Sequence, residues 1–172
     1  VFNFNSEIGK FPVKILFGGE FLKNITFSPV YQLDNTVNII STFSDIEVKP
    51  SSFNTFLQGE IDVTPTTNIV AGASLNFLEY EINDMLRTTG HKDASGYKRF
   101  DPIVTPRFSV RQMITPDISL YGSYSEGYQA PTTGQVVVPQ LGNGAVLYDL
   151  KPEHARSFEF GTKGNVLQHK LN

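Results

Sequence analysis

Apolar and polar side chains alternate along several stretches of the chain, a period of two that is typical of β-strands with different environments on their two faces. The clearest stretch runs from about Phe53 to Val63. It is followed by Thr64–Thr67, in which proline presets φ for a turn. A second alternating stretch begins near Asn68, so the sequence predicts an antiparallel hairpin. The first strand carries Phe53, Thr55, Leu57, Ile61 and Val63 on one face and Asn54, Gln58, Glu60 and Asp62 on the other, with Phe56 as an exception.

The same alternation recurs on both sides of this hairpin. Strands are predicted near residues 13–21, 106–114, 118–128 and 156–166, and Thr115–Asp117 forms a second short turn. β-Branched and aromatic residues dominate these stretches, whereas windows with helical spacing are scarce. We therefore predict an all-β fold built from antiparallel strands.

The predicted connections alternate between short and long. The turns at Pro65 and Pro116 are tight, whereas a long polar stretch covers Asn83–Asp101 and another follows Pro131. This asymmetry is typical of transmembrane β-barrels, since a soluble sandwich keeps its loops short at both ends. The alternation by itself fits either architecture, because charged side chains on the polar face can meet a water-filled lumen or bulk solvent. A soluble all-β domain that binds carbohydrate or another ligand stays open as the alternative.

Composition excludes several classes of function. The net charge is −3 and cysteine is absent, so we expect no nucleic-acid partner, no disulfide and no thiolate metal site. A transmembrane helix needs about 18 consecutive apolar residues, and no stretch reaches that length. His91, His154 and His169 lack metal-ligand spacing and are interpreted as solvated loop histidines. No nucleophile–histidine–carboxylate order is recognisable, so we expect no catalytic residue, metal, cofactor or enzyme activity.

Two blocks in the last third of the sequence carry a family resemblance. The first, ISLYGSYSEGYQAPTTGQ, spans residues 118–135, and the second, YDLKPEHARSFEFGTKGN, spans residues 148–165. Together they resemble a rising and a descending barrel strand of the TonB-dependent outer-membrane receptors, with the siderophore receptors as the most similar type. The matching positions are Leu120, Tyr121, Ser123, Tyr124, Ser125, Gly127, Tyr128, Ala130, Pro131 and Thr132, then Leu150, Lys151, Pro152, Glu153, Arg156, Ser157, Glu159, Gly161, Lys163 and Gly164.

The resemblance extends upstream through residues 53–77 and 101–124, although Ala73-Ser74 stands where these receptors usually carry leucine and arginine. It implies an antiparallel transmembrane β-barrel of about 22 strands in the bacterial outer membrane, with short periplasmic turns and long extracellular loops. At roughly 20 to 25 residues per strand and connection, the chain supplies about seven or eight strands. We therefore expect residues 1–172 to be part of one barrel domain, with a plug domain and the C-terminal barrel strands outside this chain.

The function implied by the resemblance is active uptake of a ferric siderophore, energised by TonB. The ferric chelate would be cargo and not a cofactor, and TonB would bind through the absent plug region. Outer-membrane lipid is a further expected partner. Cobalamin or an oligosaccharide as the ligand stays open, and so does a passive porin that lacks a plug.

Several residues are candidates for ligand contact. Arg107 and Arg111 are predicted to point into the lumen, where a guanidinium can pair with an anionic chelate, with the plug or with Glu159. Aromatic side chains near the outer mouth can stack on an aromatic siderophore or belong to the interfacial girdle. These candidates are Tyr97, Phe100, Tyr128 and Tyr148.

Overall fold

The chain is almost entirely β-structure in a computed structural model that describes residues 1–140, 144–147 and 149–164. Within these residues, one short helix, α1, follows the eighth strand. The elements in chain order are β1 (Phe2–Ile8), β2 (Phe11–Lys23), β3 (Thr26–Leu33), β4 (Ile39–Thr64), β5 (Thr67–Asp84), β6 (Gly96–Arg99), β7 (Ile103–Thr115), β8 (Ile118–Gln129), α1 (Thr133–Val136), β9 (Val137–Gln140), β10 (Gly144–Leu147) and β11 (Glu153–Gly164).

The main sheet follows the order β1-β2-β4-β5-β7-β8-β11, and every neighbouring pair on this path is antiparallel. β3 pairs with the first part of β4, and β6 pairs with the last part of β5. β9 and β10 form a separate two-stranded sheet. The path of seven strands confirms the expected all-β antiparallel fold, and β1 and β11 are the two edges of the described sheet.

Both predicted hairpins are confirmed. β4 and β5 are joined at Pro65 and Thr66, and β7 and β8 are joined at Pro116 and Asp117. The first strand of the first hairpin is longer than predicted, because β4 begins at Ile39 and not near Phe53. The long connections also contain regular structure, since β6 lies in the first and α1, β9 and β10 lie in the second.

The strand register gives the sheet one apolar and one polar face. On the apolar face, Phe17, Leu57 and Ala73 are cross-strand neighbours. Leu57 and Phe108 lie on central strands and are still 59% and 46% exposed. A continuous apolar surface of this kind is not stable in water and marks contact with lipid or another partner. The opposite, polar face carries Lys14, Gln58, Glu60, Ser74, Arg107, Arg111, Tyr121, Ser123, Glu159 and Lys163.

Glycines explain the aromatic side chains on the polar face. Phe56 pairs with Gly18, and its ring carbons lie 3.0 Å from the position that a Cβ of Gly18 would occupy. Tyr121 covers Gly161 on β11 in the same way, with its hydroxyl 2.6 Å from the corresponding position. Because glycine has no side chain, each ring lies flat on the neighbouring strand. Phe56, the exception to the predicted alternation, is therefore accommodated by Gly18.

Gly72 has less space around it than Gly59, the other glycine where β4 and β5 pair. A Cβ at Gly72 would lie 2.7 Å from the carbonyl oxygen of Leu57 and 3.0 Å from the Cα of Gln58. We expect Gly72→Ala to force the two strands apart and to destabilise the sheet by about 1–3 kcal/mol. The measurement is the temperature at which the complete protein in detergent loses its folded mobility on a gel.

Gly127→Ala is the matched control, because a Cβ at Gly127 in β8 would meet nothing within 4 Å. Equal unfolding temperatures for the two variants would show that β4 and β5 tolerate the extra methyl group and would contradict the prediction.

Candidate functional site

Arg107 lies on the polar face and forms a side-chain hydrogen bond there. Its Nη1 donates to Oε1 of Gln58 at 2.8 Å, although β5 lies between the two strands that carry these residues. The contact is possible because Gly72 stands between them in the register and leaves the path open. Glu159 is one of the partners predicted for Arg107, but in this structure Arg107 binds Gln58 and Glu159 accepts a hydrogen bond from the Tyr121 hydroxyl at 2.7 Å.

Arg111 lies on the same face but nearer the short turns. It borders a groove of about 740 Å³ that also contains Lys10, Asp62 and Pro65. Arg111 is exposed and forms no salt bridge with a residue in the described ranges. The nearby carboxylates of Glu60 and Asp62 instead accept hydrogen bonds from Asn68 Nδ2, at 2.9 and 2.8 Å. Arg111 therefore offers an available positive charge on the polar face.

The candidate aromatic residues lie in different environments. Tyr97 is on the apolar-face side of β6, is 65% exposed and lies 3.4 Å from Glu81 through its hydroxyl. Phe100 is buried, with its ring edge-on to Tyr80 at a centroid distance of 5.5 Å. Tyr128 is half-buried near the end of β8. Tyr148 lies outside the described residues. Ligand contact stays a prediction for all six candidates, and the five that lie in the described residues do not form one cluster.

A hydrophobic cluster, which we call the outer core, lies beyond the polar wall on the same side of the extended β4–β5 hairpin. It joins this hairpin to Phe100 in the β6–β7 connection and to α1 with the start of β9. The residues of the outer core are Ile46, Val48, Tyr80, Ile82, Phe100, Val136 and Val137, with Leu78 packed against them. Sequence reasoning missed this cluster, although the alternation in residues 45–49 was a usable signal.

Tyr80 ties the segment after β8 to the outer core. Its buried hydroxyl donates to the carbonyl oxygen of Pro131 at 2.6 Å. Burial raises the pKa of the Tyr80 hydroxyl, and the neighbouring Tyr128 adds to this shift, so the hydroxyl keeps its proton and remains a donor. The segment after β8 and the β6–β7 connection, which are distant in sequence, are therefore both fixed to the β4–β5 hairpin.

A buried carboxylate organises the β5–β6 connection. Asp84 is 1% exposed and accepts hydrogen bonds from the backbone N–H groups of Leu86 at 3.1 Å and Ala94 at 3.0 Å. Its Oδ2 also lies 2.6 Å from Nε2 of His91, whose side chain is only 8% exposed. The interpretation of His91 as a solvated histidine is therefore wrong. Its burial follows from folding of the loop around Asp84, which no spacing in the sequence indicates.

Among residues 1–140, 144–147 and 149–164, no three His, Cys, Asp or Glu side chains are grouped so that they could hold a metal ion. In the same ranges, no helix is long and apolar enough to cross a membrane. The arrangement is a polar wall with an available arginine, bordered by loops that are packed together by the outer core.

Sequence comparison identifies the family. The family described as “TonB dependent receptor-like, beta-barrel” matches residues 1–172, the full length of the chain. The chain belongs to this family. Proteins of this family are outer-membrane receptors, and in a barrel of this kind the polar face lines the lumen while the apolar face points outward. No curated protein matches the chain in sequence.

Three solved structures share the fold of this receptor barrel. The siderophore receptor PiuA from Acinetobacter baumannii has a TM-score of 0.71 and 19% identity, over 97% of this chain and 28% of PiuA. The ferric citrate transporter FecA in its unliganded form has a TM-score of 0.70 and 17% identity, over 95% of this chain and 24% of FecA. The ferric-catecholate import receptor Fiu from E. coli has a TM-score of 0.67 and 19% identity, over 97% of this chain and 28% of Fiu. The chain therefore spans between 24% and 28% of the length of these proteins.

The Tyr80–Pro131 hydrogen bond yields a local prediction for the receptor barrel. Tyr80→Phe removes the donor and leaves a buried carbonyl without its partner, which costs about 1–3 kcal/mol. We expect faster amide hydrogen exchange in residues 130–137 and little change in the strands of the wall. Tyr97→Phe is the control, since Tyr97 is exposed and its contact with Glu81 is long. Unchanged exchange in residues 130–137 of Tyr80→Phe would contradict the role of this bond.

The carboxylate of Asp84 yields a second prediction. Asp84→Ala removes the acceptor for three donors and should release the β5–β6 connection. Arg87 and Lys92 lie in this connection and are exposed, so trypsin should cleave after them several-fold faster in the variant. The control is Asp101→Ala at an exposed aspartate of the next connection. Identical cleavage rates in Asp84→Ala and the native receptor would show that other contacts hold the loop.

Proposed function

We propose that this chain forms part of the wall and outer mouth of a receptor that imports a ferric siderophore, energised by TonB. The observation that carries the proposal is the family match over residues 1–172. The structural neighbours point to the same class of cargo, since PiuA is a siderophore receptor, FecA a ferric citrate transporter and Fiu a ferric-catecholate import receptor.

The polar face supports a path for an anionic ferric chelate. Arg111 presents an exposed guanidinium, and Arg107 is exposed beside Gln58. Guanidinium groups bind carboxylates and other planar anions through two parallel hydrogen bonds. The positive charges on this wall are compatible with an anionic ferric chelate as the ligand.

The outer core supports a role for this chain at the mouth. It holds the β6–β7 connection and the segment after β8 against one hairpin, and Asp84 at the end of the same hairpin holds the β5–β6 connection. Loops fixed in this way form a rigid rim, which suits a receptor that must recognise a scarce ligand before transport. We propose that the ligand is carried without chemical change, so the receptor is not an enzyme and uses no cofactor.

The test is transport in cells. A strain that lacks the native gene is complemented with the complete receptor and supplied with iron-55 chelated by a catecholate, by a hydroxamate or by citrate. We expect accumulation of iron-55 from at least one chelate, and its loss when the TonB gene is deleted or the proton gradient is collapsed.

Three results would contradict parts of the proposal. Uptake that persists without TonB would indicate a passive pore. Transport of cobalamin or an oligosaccharide, with none of the iron chelates taken up, would replace the ligand class and keep the receptor. A complete protein that is soluble and monomeric without detergent would exclude a membrane receptor and would favour a soluble all-β binding domain.

A further inference from the structure

The apolar face changes from aromatic to charged and polar side chains within two residues along the strands. Phe21 on β2, Phe53 on β4 and Phe77 on β5 are neighbours in the register and form a row of three rings. The rings of Phe53 and Phe77 are stacked with their centroids 6.1 Å apart. Two residues further from the short turns, the same face carries Lys23, Ser51, Glu79 and Arg99, again as direct cross-strand neighbours. We call this second row the charged row.

The phenylalanine row lies at the height where a transmembrane strand ends. From this row to the short turn, β4 contributes residues 53–64 and β5 contributes residues 67–77, which are 12 and 11 residues. A tilted strand needs about 9–11 residues to cross the hydrocarbon region. The charged row follows about 7 Å beyond the rings along the strand. It therefore lies where lipid headgroups begin.

The charges of this row are only partly compensated. Arg99 uses Nε and Nη2 on a single oxygen of Glu79, at 3.2 and 3.0 Å, and Ser51 Oγ donates to the other oxygen at 3.3 Å. Nη1 of Arg99 has no partner in the described residues, and this side chain is 78% exposed. Lys23 is exposed and forms no salt bridge within the described ranges. The two ends of the row therefore present available cationic donors, about 14 Å apart across the strands.

In the next row beyond it, the cation is paired within the protein. Lys49 lies 3.4 Å from Glu47 and 3.3 Å from Glu81, and its hydrogen bond to Glu81 is the main reason that the pKa of Lys49 is raised. A hydrogen bond from Asn83 and then one from Lys49 lower the pKa of Glu81, with a smaller contribution from Lys23. Lys23 therefore lies on this same face, and Lys49 is not available to a ligand.

A groove joins the two rows. It has a volume of about 410 Å³, and its lining includes the three phenylalanines, Pro102, Glu79 and Arg99. The groove forms where β6 ends and β7 has not yet begun, because Phe100 turns away into the outer core while its N–H donates to the carbonyl of Leu78 at 3.0 Å. An apolar trough that begins among rings and ends at a guanidinium fits an acyl chain with an anionic headgroup.

We propose that this groove and the charged row bind a membrane lipid with a phosphate headgroup, with an acyl chain along Phe21, Phe53 and Phe77 and the phosphate on Arg99, the cation that lines the groove. Lys23, at the far end of the row, adds positive charge to the same headgroup region. Guanidinium and ammonium groups form charge-assisted hydrogen bonds with phosphate oxygens. Glu79 opposes the phosphate and weakens the site, because it holds two of the Arg99 nitrogens. The proposal rests on the proposed function only in placing the sheet in the outer membrane.

The test uses the complete receptor purified in mild detergent, with dioleoyl phosphatidic acid as the probe and dioleoyl phosphatidylcholine as the zwitterionic comparison. Lipid bound per barrel is measured by native mass spectrometry over a titration. We expect the native receptor to bind phosphatidic acid about tenfold more tightly than phosphatidylcholine. The double variant Lys23→Ala/Arg99→Ala should lose this preference, whereas Glu79→Gln should strengthen it several-fold by releasing Arg99.

Lys14→Ala is the matched control, because Lys14 is an exposed cation of the same sheet on the polar face. It should bind both lipids as the native receptor does. Folded mobility on an unheated gel confirms that each variant forms a barrel. A preference that survives in the double variant would overturn the proposal. Binding that a chelator abolishes and that Glu79→Gln weakens would also overturn it, since a metal ion on the carboxylate would then hold the lipid.

Uptake separates this proposal from the proposed function. The double variant should still accumulate iron-55 in cells, because Lys23 and Arg99 lie on the face opposite the lumen-lining residues. Loss of lipid preference with normal uptake supports the lipid site. Normal lipid preference in a receptor that transports no iron chelate contradicts only the ligand class.

Discussion

The hydrogen-bonded register between antiparallel strands is the constraint on which the other features depend. Inside a membrane no water is present to satisfy N–H and C=O groups, so each strand must bond to its neighbours along its whole length. The side-chain period of two then fixes both faces at once, and a slip by one residue would exchange them. In this chain the register unites Phe53 with Phe77 on one face and Gln58 with Arg107, across Gly72, on the other.

Small residues adapt the wall to this register. Gly18 and Gly161 receive the rings of Phe56 and Tyr121, so two aromatic side chains on the polar face lie flat along the sheet. Gly72 lets a guanidinium reach across a whole strand. The lumen side of the wall is consequently smooth and polar although it contains large side chains, which suits a surface next to a moving cargo or another domain.

The sheet changes its chemistry where it leaves the membrane. On the side that is polar in the wall, the outer ends of β4 and β5 become apolar and bury Ile46 and Ile82 beneath the connecting segments. On the side that is apolar in the wall, the charged row replaces the rings. Phe100 belongs to both changes, because its turn into the outer core opens the groove on the opposite face. One hairpin therefore organises the mouth on its inner side and the headgroup region on its outer side.

The sequence by itself determined the strands of the wall, because local alternation and turn residues such as Pro65 and Pro116 act over a few positions. It also determined that Arg107 and Arg111 lie on the polar face and Phe108 on the apolar face, and its two C-terminal blocks resemble the family that the comparison confirms. Only the tertiary structure decided that Arg107 bonds to Gln58, that His91 is buried against Asp84, and that Tyr80 binds Pro131. These contacts join residues through strand pairing or loop folding, and neither their distance nor their geometry is encoded in a local pattern.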